Sequence, residues 1–364
     1  MQLSELVTEF LRMPGVSDVH LTTNSPPWLR QDGRLIPQTD LRVDDGDLRT
    51  LLDRFRVADP IAALAAVEQR ESAMPREESR TGLDFGAELQ GIRLRCNLSL
   101  ANGGLLSLVI RRLNDHIPPL SALGFQDSVT RYLEHATGLI LVTGQTGSGK
   151  STTLAAMLDH INRHFDGHII TIEDPVEYVL PEVRCKVSRK EIGYDARSFH
   201  AALRAAMRQD PDAIMIGEIR DRETLTAALA AADTGHLVLG TLHTKSAVKA
   251  VDRILSLAGA DNQELARSSF ASVINLIVAQ TLVPKKGGGR LLAYELLAGT
   301  SAVCSNIAMG QVSQIPNVMA TGRADGHVLM NATLADMVRR GVIDRAAAQA
   351  ATYDRNGLDQ ELKR

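Results

Sequence analysis

The stretch Gly138–Thr153, GLILVTGQTGSGKSTT, constrains the fold more than any other part of the sequence. Its apolar run Leu139–Val142 predicts a buried strand, and Gly144-Gln145-Thr146-Gly147-Ser148-Gly149-Lys150-Ser151 fits the P-loop pattern at every fixed position. Glycines at this spacing let the backbone curl so that its N–H groups form a nest for phosphate oxygens. Lys150 then reaches the β- and γ-phosphates as a point charge, the Ser151 hydroxyl ligates Mg²⁺, and Thr152 completes the nucleotide-binding run. Apolar side chains follow at helical spacing (Leu154, Met157, Leu158, Ile161), so a helix N-terminus directs its partial positive charge at the anion. Strand, glycine-rich loop and helix in this order read as a site for a nucleoside triphosphate.

At 364 residues the chain is too long for one typical domain, so two are expected. The net charge of −3 and the lack of a long basic block weigh against a nucleic-acid motor. Cys96, Cys185 and Cys304 lie far apart, giving neither a disulfide framework nor a CxxC pair, and read as small buried residues in a reducing compartment. The N-terminal MQLSELVTEFLRM carries glutamates in an amphipathic pattern, with no signal-peptide layout. The most apolar run, Phe270–Val283, is interrupted by Asn275, Gln280 and Thr281, short of the roughly 20 residues a membrane span needs. A cytosolic protein is expected.

Residues 1–112 read as a small α+β domain. Leu3, Leu6, Val7, Phe10 and Leu11 share a helical face, Ser17–Leu21 opens a strand, and Asp32-Gly33 marks a hairpin between Trp28–Arg30 and Arg34–Ile36. Helical patterns at Asp47–Phe55 and Pro60–Glu68 precede a charged loop around Pro75–Arg80, then strands at Leu83–Leu89, Ile92–Leu98 and Leu105–Ile110. Residues 113–120, with Pro118-Pro119, read as an interdomain linker. From 121 to 364 short apolar strands alternate with helices, which predicts a parallel sheet covered by helices, with a mostly helical tail from about residue 324.

Three further groups bear chemistry. Arg93 and Arg95 share one face of a strand, and Arg111 and Arg112 end the next; they read either as a solvated edge with snorkelling stems or as cations aimed at phosphate. The strand Ala213–Ile216 delivers Gly217-Glu218 to the P-loop edge of the sheet, where a carboxylate can organise Mg²⁺, through a metal-bound water. Glu173, Asp174 and Glu177 crowd the end of the preceding strand, and one of them can orient and deprotonate an attacking water. His236 and His243 stand at opposite ends of one strand, too far apart to share a metal; neutral imidazoles bonded to phosphate or to a catalytic acid fit better.

With these pieces in order, the sequence resembles the bacterial secretion-system ATPases, and among them the PilT-like type IV pilus retraction ATPases. The resemblance runs from SDVHL and PPWLRQDGRL through GQTGSGKSTTLAAMLD and TIEDPVEY to DPDAIMIGEIRDRETLTAALAAADTGHLVLGTLHT. It implies a PAS-like N-terminal domain and a RecA-like ATPase domain, with ATP bound between the two domains of a chain and subunits assembled as a homo-hexamer. It also implies a position at the cytoplasmic face of the inner membrane, reached through an inner-membrane platform protein, with no direct nucleic-acid partner. Matched motif by motif, Lys150 and Ser151 are the Walker A pair, Glu218 the Walker B acid, and Glu177 the general base. His236 and His243 are the histidine-box pair, and Arg93, Arg95 and Arg111 fall where arginines approach the phosphates.

The sequence departs from that pattern at Gln145, where proline is commoner, and at Ala302–Ile307, where AVCSNI stands for a motif resembling AIRNLI and lacks its arginine. The tetracysteine module and long N-terminal docking region of assembly ATPases are not seen, which favours retraction over extension. The competing readings are an ATPase of a conjugative or type IV secretion system, a RecA-like nucleic-acid translocase and a small-molecule kinase. One Trp and five Tyr in the chain offer few stacking platforms for a translocase. A kinase would not need an additional arginine-bearing domain.

Overall fold

A computed structural model describes residues 2–71, 82–113, 116–125 and 127–363. The chain divides into two compact units, one of Met1–His116 with Asp174–Val179, the other of Ile117–Glu173 with Leu180–Arg364. The acidic turn is therefore split between them: Glu173 belongs to the second unit and Glu177 to the first. The charged loop expected at Pro75–Arg80 and residues 114 and 115 of the expected linker lie outside the described residues.

The first unit begins with α1 (Leu3–Arg12), β1 (Val16–Thr22), β2 (Trp28–Gln31) and β3 (Arg34–Pro37). It continues through α2 (Asp45–Arg54), α3 (Pro60–Glu71), β4 (Gly82–Leu89), β5 (Ile92–Ala101) and β6 (Leu105–Arg112). Its antiparallel sheet has the order β3-β2-β1-β6-β5-β4. Alternation along β5 sends Ile92, Leu94, Cys96 and Leu98 into a core shared with Val7, Leu11, Leu48 and Leu52 of the helices. Arg93 and Arg95 consequently stand on the opposite face, as the period of two requires.

The second unit opens with α4 (Asp127–Leu133), β7 (Gly138–Thr143), α5 (Lys150–His164), β8 (Gly167–Glu173) and β9 (Cys185–Glu191). Next come α6 (Phe199–Ala206), β10 (Ala213–Ile216), α7 (Arg222–Asp233), β11 (Leu237–Leu242), α8 (Ala247–Leu257) and α9 (Gln263–Val273). A hairpin of β12 (Ile274–Pro284) and β13 (Arg290–Ala298) leads into α10 (Ser301–Ala308), α11 (Ile315–Thr321), α12 (Met330–Arg339), α13 (Arg345–Ala351) and α14 (Arg355–Lys363). The strand order is β13-β12-β7-β11-β10-β8-β9, parallel except for the β12–β13 pair. This is the α/β class with a parallel sheet that the sequence predicts, with β9 and the antiparallel β13 added at its two edges.

The sheet is buried on both faces. In β7, Leu139 and Leu141 enter one core with α6 to α10, while Ile140 and Val142 enter the other with α4 and α5. Leu154, Met157, Leu158 and Ile161 of α5 all face that second core, so the helical spacing read from the sequence is the packed face. A separate cluster of Met330, Leu334, Ile343, Ala348 and Leu358 seats the C-terminal helices on Val283 and Ala293 of the hairpin. Among the described residues no helix is long and apolar enough to cross a membrane. The run Phe270–Val283 is instead the end of α9 and most of β12.

Candidate functional site: the carboxyl edge of the parallel sheet

Parallel strands all present their carboxyl ends at one edge, where open α/β sheets take their ligands. Here that edge carries the P-loop after β7, His243 after β11, Glu218 after β10 and Glu173 at the end of β8. Because β11 lies between β7 and β10, His243 stands between the P-loop and Glu218 in sheet order.

The P-loop's curl is built into its glycines. Gly147 and Gly149 hold φ of 77° and 88°, which side-chain-bearing residues rarely adopt. A Cβ at Gly144 would lie 2.4 Å from Ser148 Oγ and 2.5 Å from the Gln280 carbonyl oxygen. Gly149 is also the N-cap of α5 and supplies no side-chain cap. Lys150 is buried and its Nζ donates to the carbonyls of Gly144 (2.9 Å) and Gln145 (3.2 Å), across the loop it closes.

Both carboxylate oxygens of Glu218 are engaged. Arg220 Nη2 lies 2.7 Å from one carboxylate oxygen and His243 Nε2 lies 3.3 Å from the other. Burial pushes this carboxyl up, but the hydrogen bond and charge of Arg220, followed by those of His243, outweigh it and hold the group below the usual carboxylate range. Of the two kinds of contact open to a histidine here, phosphate or carboxylate, His243 makes one with the Glu218 carboxylate.

His236 stands at the opposite end of β11 from His243, as the sequence predicts. It precedes β11 at the end paired with Gly138, roughly 20 Å of strand away from the P-loop edge at about 3.3 Å per residue. Its Nδ1 lies 3.0 Å from the Ala231 carbonyl oxygen, so it closes the turn after α7. Within this chain the two histidines are not brought together.

The first unit gathers the other sequence-predicted residues. Arg95 Nη1 lies 3.3 Å from Glu177 Oε1, pairing a candidate cation with the candidate base. Arg111 Nε lies 2.7 Å from Asp18, a carboxylate only 3% exposed, and Arg112 donates to the Leu11 carbonyl at 3.1 Å. These two arginines thus have structural work inside the unit. Arg93 Nε is buried without a hydrogen-bond partner among the described residues. Of the cysteines, Cys96 and Cys185 are buried, whereas Cys304 in α10 is only half-buried.

Three contacts at or near the edge are not legible in the sequence. Thr143, the last residue of β7, shares a 2.7 Å hydroxyl–hydroxyl hydrogen bond with Thr244 and accepts the Thr244 amide at 2.9 Å, clipping the His243 loop to the P-loop strand. Gln280 of β12 donates from Nε2 to the Ser148 carbonyl at 2.8 Å and braces the loop from the other side. Glu295 of β13 accepts the Ala247 amide at 2.8 Å, at the start of α8. The sequence signal for Gln280 is an amide side chain in an otherwise apolar run, which it shares with Asn275.

A model of the family described as Type II/IV secretion system protein matches residues 4–354. The chain is 38% identical over 354 residues to the type IV pilus retractation ATPase PilT of Pseudomonas aeruginosa, covering 96% of this chain and 97% of that protein. The crystal structure of the pilus retraction motor PilT with bound ADP superposes with a TM-score of 0.84 at 37% identity, over 99% of both chains. The Legionella pneumophila ATPase DotB gives 0.80 at 25% identity over 95% of each. With a family match across nearly its whole length and a P-loop edge built as described, the chain belongs to the type II/IV secretion system protein family.

Proposed function

We propose that this chain is the subunit of a hexameric ATPase that drives type IV pilus retraction, working at the cytoplasmic face of the inner membrane through a platform protein. The observation that carries the reading is the sheet edge itself: P-loop, His243 and Glu218 on adjacent strands, in a chain similar throughout to a pilus retraction motor. ATP would lie with its phosphates on the Gly144–Thr152 backbone and Lys150 on the β- and γ-phosphates.

Mg²⁺ fits the donors present. This ion keeps several waters and takes only one or two protein oxygens beside the phosphates, so Ser151 and, through water, Glu218 suffice to hold it. When bound it neutralises charge developing on the transferred phosphoryl group. Glu177 is assigned the base that orients and deprotonates water, with Arg95 as its partner in the first unit. Arg93, Arg95 and Arg111 are assigned as cations for the phosphates; the Asp18 contact gives Arg111 a second, structural role. His243 is assigned to hold Glu218 and, with His236, to register the state of the nucleotide; His236 also closes its turn through the Ala231 carbonyl.

Loss of the gene product tests the reading in cells. Surface pili that persist but no longer shorten are expected; a strain with no pili would make this an assembly ATPase. A second reading, an ATPase serving secretion or conjugation, is favoured by the AVCSNI segment at Ala302–Ile307, which lacks the arginine of the retraction motif. Normal pilus dynamics with failed DNA or protein transfer would select it.

A further inference from the structure

Glu295 is the most deeply buried acid of the C-terminal region, 1% exposed, and it lies outside the P-loop edge. Three donors converge on it from three elements. The Ala247 amide reaches Oε1 at 2.8 Å, the Tyr353 hydroxyl donates to Oε2, and the Met330 amide favours the charged form of the carboxyl. Ala247 and Met330 are the first residues of α8 and α12, so their amides are among the donors that a helix cannot satisfy internally. The N-cap of α12, Leu329, contributes no side-chain cap. One carboxylate thus sits against the partial positive ends of two helices.

Tyr353 is held to this task from behind. Thr352 Oγ1 donates to Asn331 Oδ1 at 2.6 Å, and Asn331 Nδ2 donates to the Asp354 carbonyl at 2.9 Å, fixing the corner between α13 and α14. Its ring is half-exposed while its hydroxyl turns inward. Burial, then the neighbouring Glu295 carboxylate, push the phenol far above its ordinary value, so the proton stays on Tyr353 and the bond keeps its direction.

What α8 begins from gives this contact its consequence. Residues 243–246 connect β11 to α8, and they include His243 on Glu218 and Thr244 on Thr143, the residue before the P-loop. We infer that Glu295 and Tyr353 are positioning residues for ATP hydrolysis: the C-terminal helices, through the Tyr353–Glu295–Ala247 chain of hydrogen bonds, fix the 243–246 loop and hence the His243–Glu218 pair. A load or partner that displaces the α13–α14 corner would change turnover without touching the nucleotide. The inference rests on the assignment of His243 to the ATPase site.

The test compares Tyr353→Phe, His243→Ala and the double variant as full-length proteins in steady-state ATP hydrolysis, with hydrogen exchange of the 243–250 segment alongside. Y353F keeps the ring and deletes only the donor. Its kcat is expected to fall about three- to tenfold with KM for ATP within about twofold, a fraction of what one hydrogen bond to a charged group is worth, because the lost donor acts on the site only through the 243–246 loop. The 243–250 amides should exchange faster, and in the His243→Ala background Y353F should have no further effect on kcat. Unchanged turnover in Y353F, or the same fold-loss in both backgrounds, overturns the inference while leaving the His243 assignment standing. Wild-type turnover in His243→Ala removes that assignment and the inference with it.

Discussion

His243 Nε2 lies 3.3 Å from Glu218 Oε1, and Arg220 occupies the other oxygen at 2.7 Å. Both oxygens of the acid that follows β10 are thereby engaged from its own unit. The pair joins adjacent strands, because β11 lies beside β10 with Ile216 opposite Gly240. Removing the imidazole by His243→Ala costs one hydrogen bond to a charged group, about 1.5–3 kcal/mol. ATP turnover is expected to drop roughly 10- to 100-fold, with a smaller change in KM. Glu218→Gln should cost more, because it removes the charge on which His243 and Arg220 converge. Equal turnover in wild type and His243→Ala would show that the contact is structural only.

Gln280 braces the P-loop through the Ser148 carbonyl, and it is 3% exposed. Gln280→Leu conserves volume and removes the donor, leaving that carbonyl without its partner at a cost of about 1–3 kcal/mol. The loop is the part that must relax, so nucleotide affinity is expected to weaken by roughly tenfold, measured by titration with a fluorescent ATP analogue. Affinity equal to wild type would mean that the glycines and Lys150 hold the curl unaided.

Lys150 and Glu177 should separate binding from chemistry. Lys150→Ala removes the phosphate contact and is expected to abolish measurable nucleotide binding. Glu177→Gln leaves the P-loop untouched and should retain binding while losing hydrolysis by about 10²–10⁴-fold, the scale of a general base. Arg95 pairs with Glu177 at 3.3 Å, so Arg95→Ala is expected to lower kcat as well. Normal turnover in Glu177→Gln would move the base to Glu173 or Glu218, both at the sheet edge of the second unit.

Local signals account for most of what was legible in the sequence. The P-loop is continuous in the chain and its glycines dictate φ, so strand, loop and helix were read together with their packed faces. Glu218 and His243 follow apolar strands that announce themselves by length and composition. The hairpin β12–β13 was hidden because its apolar run, continuous with α9, has no period to distinguish strand from helix. Its interruptions carried the information: Asn275 Nδ2 bonds the Thr137 carbonyl and Gln280 bonds Ser148, each across more than 130 residues of chain. The division of the acidic turn between units was equally invisible, since it rests on packing between residues far apart in the chain, as where Arg95 meets Glu177. His236 shows the reverse case, a motif residue whose place at the far end of β11 follows from strand geometry alone.

Glu295 gives the fold a pH dependence of unusual sign. Burial raises its pKa most strongly, against the Tyr353 hydroxyl and the Ala247 and Met330 amides, which lower it, and the net direction is upward from 4.5. A carboxyl whose folded value exceeds its unfolded value binds its proton more tightly in the folded protein. Its contribution to stability is therefore fully present below about 4.5, the unfolded value, and is lost as pH rises through the raised folded value. Most paired carboxylates, Glu218 among them, run the other way and lose stability on acidification. Glu295→Gln keeps an oxygen for the Ala247 amide and removes the titration. The difference in unfolding temperature, wild type minus Glu295→Gln, is expected to decrease from pH 4.5 upward and then level off. It is measured on both full-length proteins in matched buffers, so that all other titrating groups cancel. A difference that is flat or grows with pH would mean that the three donors outweigh burial and that Glu295 is ionised throughout.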